Sequence, residues 1–212
     1  LWIGQKIQAL PRQVELSPGM AVNLRAPDPA ALLAIPGVEL GVAYAGIRKA
    51  PRADLMLMRV NQGARTAGVF TQNSFAAAPV QVCREVLAAG GPVRALLVNA
   101  GNANCGTGAT GLAAARRSCD AVARFLECEA REVLPFSTGV ILEPLPVERI
   151  ESALPACVGS LAAGNWGAAA EAIMTTDTVA KACSRSVDIA GRRISVTGMA
   201  KGVGMLAPNM AT

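Results

Sequence analysis

Apolar positions recur along this chain in two rhythms. Residues 38–47 and 54–60 are nearly unbroken apolar runs, and each predicts a strand. In the second run Leu55, Leu57 and Arg59 alternate with Met56, Met58 and Val60. Both faces are thus nearly apolar, as in a strand covered on two sides. Residues 66–71 and 94–99 predict two shorter strands, the latter running into a Gly/Asn-rich loop. The second rhythm is helical. Leu112, Ala115, Cys119, Val122 and Leu126 recur at three- and four-residue steps, which predicts a helix over 112–127 with Thr110 as its N-cap. Residues 147–154 and 166–173 predict two more helices, the second capped by Asn165. Residues 186–189 and 193–197 predict a hairpin around Ala190-Gly191-Arg192. Strands and helices interleave without an internal repeat, which predicts a layered α/β or α+β domain. Residues 1–19 differ in character, and Met20-Ala21-Val22-Asn23-Leu24 reads like a native start. The expectation is an N-terminal extension over 1–19, the alternative an ordinary N-terminal arm.

Composition narrows the chemistry. The chain is 52% hydrophobic but only 3% aromatic, so its core must be aliphatic. A net charge of +5 comes from scattered Lys and Arg with no interleaved aromatics. That pattern argues against nucleic acid and favours an acidic small molecule. The chain has no His. It therefore cannot by itself build a Ser-His-Asp or Cys-His site, or a zinc site with His ligands. Cys83, Cys105, Cys119, Cys128, Cys157 and Cys183 form no CxxC pair, so they read as small core residues of a reducing, cytoplasmic protein. No apolar run reaches the roughly 18 residues of a membrane span.

Four blocks carry candidate chemistry. The first is Ala200-Lys201-Gly202-Val203-Gly204-Met205-Leu206-Ala207-Pro208-Asn209-Met210-Ala211-Thr212. A Thr that begins a chain can use its own α-amino group as base, so the missing His is no obstacle. The second is Phe136-Ser137-Thr138-Gly139-Val140-Ile141, where a strand leads into a hydroxyl and an N–H suited to an oxyanion. In isolation an ordinary strand-end turn is the better explanation. The third is Met174-Thr175-Thr176-Asp177-Thr178, either substrate-binding hydroxyls and carboxylate or a helix-end turn. The fourth, residues 99–108, is a polar loop before a helix whose N–H groups can face an anion, without the phosphate-loop pattern. Cys105 within it has no neighbouring base and reads as structural.

Taken together and in this order, the blocks resemble the ornithine acetyltransferase family, the bifunctional glutamate N-acetyltransferases of arginine biosynthesis. The likeness includes Gly68-Val69-Phe70-Thr71, Ala78-Pro79-Val80 and Glu143-Pro144-Leu145-Pro146, and runs over residues 37–212. It implies an αββα-type sandwich of an autoprocessing enzyme whose N-terminal Thr is the nucleophile. Residues 20–211 are then the alpha half, and Thr212 the first residue of the beta half. Cleavage between Ala211 and Thr212 frees the nucleophile. The resemblance further implies Thr138 and Gly139 as the oxyanion hole, with Thr175, Lys201 and Thr212 binding substrate. The implied reaction is ping-pong: N-acetylornithine acetylates Thr212 and glutamate takes the acetyl. It needs no metal or organic cofactor, and acetyl-CoA stays open as an alternative donor. The implied partner is the beta chain, in an α2β2 heterotetramer.

Two departures stand out. Leu142 occupies a position where many members carry a small residue, and Cys105-Gly106 varies a commoner Ala-Cys or Ala-Gly pair. The rival readings are an autoprocessing aminopeptidase or amidase and an inactive isolated fragment.

Overall fold

The computed structural model describes residues 25–48, 51–204 and 209–210. The expectations for residues 1–19 and for Ala211 and Thr212 lie outside these described residues.

The two-faced apolar run predicted over 54–60 becomes β2 (Leu55–Val60), an inner strand of a four-stranded sheet. Its neighbours are β1 (Val38–Ala43) and β3 (Ala95–Asn99), both antiparallel to it, with Val60 opposite Val38 and Leu57 opposite Leu97. The outer strand β4 (Val133–Ser137) runs parallel to β3, with Leu97 opposite Pro135. Parallel neighbours need a long crossover, and the helix α2 (Gly108–Leu126) supplies it.

The alternation in β2 feeds two cores. Leu55 and Leu57 join Ala95, Leu97 and Val133, under Val122 of α2 and Leu154 of α3 (Val147–Gly159). Met56 instead joins Leu40, Trp166, Ala169 and Ile173, on and beside α4 (Trp166–Ala172). Gly41 lets β1 approach α3 closely, because a Cβ there would run into the Cys157 carbonyl. A further helix, α1 (Ala78–Ala88), packs on β4 and α2. Beyond α4 lies a separate hairpin of β5 (Lys181–Ile189) and β6 (Arg192–Ala200). The protein is thus a mixed α/β fold: one helix-covered mixed sheet plus a hairpin. The described residues build no complete second sheet of the expected sandwich.

Several expectations need correcting. Residues 66–71 form no strand, having no ladder neighbour; Phe70 packs instead beside Leu87, Val93 and Leu134. The helix expected from residue 112 starts at Gly108, so Thr110 is inside it and Thr107 stands at the N-cap position. Thr107 makes no capping bond, because its hydroxyl donates to Asn104 Oδ1 at 2.8 Å. Asn165 does occupy its N-cap position, but its side-chain amide donates to the Leu40 and Ser160 carbonyls. It ties α4 to β1 rather than capping. The hairpin is longer than predicted, and Arg192 pairs with Ile189. Only Ala190 and Gly191 turn the chain, both at positive φ, as a two-residue turn matched to strand twist requires. Among the described residues no helix is long and apolar enough to cross a membrane.

Three of the six cysteines are core residues as expected. Burial pushes the Cys83, Cys119 and Cys157 thiols up to about 12, which keeps them protonated and inert. Cys105 and Cys128 are half-buried, and Cys183 is exposed.

Candidate functional site

Thr138 and Gly139 follow directly from β4, and three buried asparagines hold the turn they begin. Asn99, at the end of β3, donates from Nδ2 to Ser137 Oγ at 2.7 Å, while its carbonyl accepts the Thr138 N–H at 3.0 Å. Its Oδ1 accepts the N–H groups of Gly101 and Asn102. Asn102 then donates from Nδ2 to the carbonyls of Glu143 and Pro144, both at 3.2 Å, clasping the far end of the turn. Asn102 Oδ1 accepts the Asn104 N–H at 2.7 Å, and Asn104 Nδ2 reaches the Gly111 carbonyl in the first turn of α2. Every buried amide in this ladder is satisfied, which makes it rigid rather than costly. Gly139 lies at φ +148°, against the Gly101 carbonyl, where a Cβ would overlap. Its N–H has no partner among the described residues, and Thr138 is half-buried. A hydroxyl and a free N–H on a braced turn are donors able to meet a developing oxyanion.

Thr175 and Lys201 are brought together by Asp177. The carboxylate accepts the Lys181 ammonium and the Gly202 N–H at Oδ1, each at 2.6 Å, and the Thr175 N–H at Oδ2, 3.3 Å. Burial alone would raise its pKa. The Lys181 hydrogen bond, the two N–H donors and the Lys181 charge outweigh that and hold it at about 2. Lys201, one residue before Gly202, is half-buried and has no ion-pair partner among the described residues.

The exit of α4 is gripped from the other side. Arg52 donates to the carbonyls of Glu171, Met174 and Thr175, and Arg48 to those of Met174 and Thr175. Cations suit these C-terminal carbonyls. Arg48 is fixed in turn by Asp54, a buried carboxylate that accepts the Ala45 and Arg48 N–H groups at 2.7 and 2.8 Å. Gly101 packs on Ile47 and the Arg48 backbone, with a Cβ there falling 2.7 Å from the Arg48 nitrogen. A continuous run of contacts therefore links Gly139, Gly101, Arg48, Thr175, Asp177 and Gly202.

A cavity of about 290 Å³ opens beside the Thr138 turn, lined among others by Val69, Thr71, Pro135, Ser137 and Thr138. At its Thr71 side the Met210 carbonyl accepts the Thr71 hydroxyl at 3.1 Å and the Gln72 N–H. The described end of the terminal block is thereby held on a residue that also lines the cavity.

The arginine and asparagine supports were not recognised in the sequence. Arg48 and Arg52 do stand out there as a basic cluster before β2, and Asn99, Asn102 and Asn104 as three amides within six residues. The two departures noted above touch each other: Leu142 donates its N–H to the Cys105 carbonyl at 2.9 Å, and a Cβ on Gly106 would overlap Leu142 Cδ2. Cys105 thus supplies a carbonyl to the turn. Among the described residues no group of three or more Cys, Asp or Glu is placed to hold a metal.

The end of β4 thus presents braced donors, and the exit of the hairpin presents a lysine with no ion-pair partner among the described residues, an arrangement suited to a small polar molecule. The ArgJ family pattern matches residues 39–212, and the chain belongs to the ArgJ family. It is similar to the arginine biosynthesis bifunctional protein ArgJ of Bacillus halodurans, with 34% identity and a TM-score of 0.74 over 82% of this chain and 91% of that one. It is equally similar to the ornithine acetyltransferase of Mycobacterium tuberculosis, solved in complex with ornithine. There the identity is 35% and the TM-score 0.74, over 82% of this chain and 92% of that one.

Proposed function

We propose that this chain is the alpha half of an enzyme that transfers the acetyl group of N2-acetyl-L-ornithine to L-glutamate. The observation that carries the reading is family membership over residues 39–212, joined to the contact run that couples the Thr138–Gly139 turn to Thr175 and Lys201. After self-cleavage between Ala211 and Thr212, the Thr212 α-amino group takes the hydroxyl proton as the oxygen attacks the acetyl carbonyl. The tetrahedral oxyanion meets the Thr138 hydroxyl and the Gly139 N–H. The amide C–N bond breaks, the proton passes to the leaving amine, and ornithine departs. Glutamate's amine then attacks the acetyl-Thr212 ester through the same oxyanion site and regenerates the hydroxyl.

Lys201 pairs with a substrate carboxylate, which its half-buried, unpartnered state suits. Thr175 borders the same substrate. The binding of ornithine by the Mycobacterium tuberculosis relative fits this substrate class. The cytoplasm is the expected location. The beta chain completes the site and the sandwich in an α2β2 assembly. The hairpin is suited to such a partner, since Val187, Ile189, Ile194 and Val196 all point to solvent while Ser184 and Thr197 bond to Leu33 of the body.

The test is intact mass on the complete gene product, followed by an assay with acetylornithine and glutamate. Two fragments, the second beginning at Thr212, with transfer abolished in Thr212→Ala, are expected. An uncleaved chain without transfer overturns the reading, and acetyl release to water without transfer to glutamate redirects it to an amidase.

A further inference from the structure

At the base of the hairpin one buried carboxylate holds the ammonium of one lysine and the backbone just beyond a second. The Asp177 side chain has no solvent exposure, so its charge needs a cation and hydrogen bonds nearby. Lys181 opens β5, and the ladder sets it opposite Ala200, the residue before Lys201. Lys201 is joined by one peptide to Gly202, whose N–H lies on Asp177 Oδ1. Lys181 thus contacts the carboxylate directly, and the Lys201 backbone lies one residue from it. The structure gives the carboxylate to Lys181, at 2.6 Å, and leaves Lys201 unpaired among the described residues. The other cations nearby, Arg48 and Arg52, are engaged by carbonyls of the α4 exit.

We infer that Lys181 is a positioning residue that neutralises Asp177 and so keeps Lys201 free to take a carboxylate-bearing substrate. The inference rests on the proposed function, in which Lys201 binds substrate. With Lys181 in place, the Asp177, Lys181 and Lys201 group carries one net positive charge, matched to a single carboxylate. Without it the group is neutral, and Lys201, a point charge on a flexible stem, folds back onto Asp177. Substrate must then displace an internal ion pair before it binds. The defect falls on binding, because Lys181 touches neither the oxyanion donors nor Thr175.

The experiment uses the complete gene product and measures kcat and KM for glutamate and acetylornithine. Lys181→Gln is expected to raise KM about tenfold with little change in kcat, the pattern of lost uniform binding. Adding Asp177→Asn to Lys181→Gln removes the competing charge and returns KM most of the way to wild type. A structural role predicts the reverse, since the double variant discards more contacts. An unchanged KM in Lys181→Gln, or a double variant worse than the single, overturns the role of Lys181 alone. Absence of acetyl transfer in the wild type, or a Lys201→Gln variant with normal KM, overturns the underlying function as well.

Discussion

Gly139 lies flat against the Gly101 carbonyl, at a φ of +148° and with no room for a Cβ. The close approach sets where the Gly139 N–H points, and so where an oxyanion can sit. Gly139→Ala is expected to cost about 2 kcal/mol of stability from backbone strain and overlap. It should also reduce kcat by about 100-fold, as loss of one oxyanion donor does elsewhere. Urea unfolding and steady-state kinetics read the two effects separately. A variant with wild-type kcat would remove Gly139 from the chemistry.

Asn102 reaches across the same turn and holds both the Glu143 and Pro144 carbonyls. Asn102→Ala leaves those acceptors, and the Asn104 N–H, without their buried partner. The expected loss is about 2–3 kcal/mol, measured by urea unfolding. Because the clasp sets the turn rather than touching substrate, kcat should fall while KM moves little. A drop in stability with kinetics intact would show that the turn keeps its shape without the clasp.

The legible part of the fold was the part written in periodicity. β2 and the stripe of α2 were plain because burial on fixed faces leaves a fixed spacing. α1 was missed: its buried face of Ala78, Pro79, Val82 and Cys83 is short and carries a weak pattern, and its place on β4 is a tertiary fact. The start of α2 was misread because Gly108 and Gly111 obscure its first turn, and because the hydroxyl of Thr107 serves Asn104 instead of the helix. In the site, Thr138, Gly139, Thr175 and Lys201 were named from motif resemblance. Their supports were not, because Asp177 joins residues 25 positions apart and Arg48 reaches 127 positions ahead. Spacing along a chain does not encode such closures.

Acid should loosen the Thr175–Lys201 junction within a defined window. The folded pKa of Asp177 is depressed from 3.8 to about 2, so its contribution is fully present above pH 4 and is lost as pH falls towards 2. The shift corresponds to about 2 kcal/mol. Stability measured from pH 5 to pH 2 should therefore decline less in Asp177→Asn than in wild type, the difference being confined to that interval. Parallel curves for the two proteins would mean that the carboxylate gains nothing on folding.

Leu142 is the residue whose replacement should help. It lies at a φ of +63°, a left-handed conformation that L side chains occupy at a cost, and it is 68% exposed. Little apolar burial is therefore lost on truncation, whereas relief of the backbone strain is worth about 1 kcal/mol. Leu142→Gly is expected to raise stability by up to that amount. Its Cδ2 also blocks Gly106, where a Cβ would overlap it. Gly106→Ala should accordingly be more harmful in the wild-type background than in the Leu142→Gly background. A double-mutant cycle by urea unfolding measures that coupling. A Leu142→Gly protein less stable than wild type would show that the contact between Leu142 and Gly106 outweighs the strain.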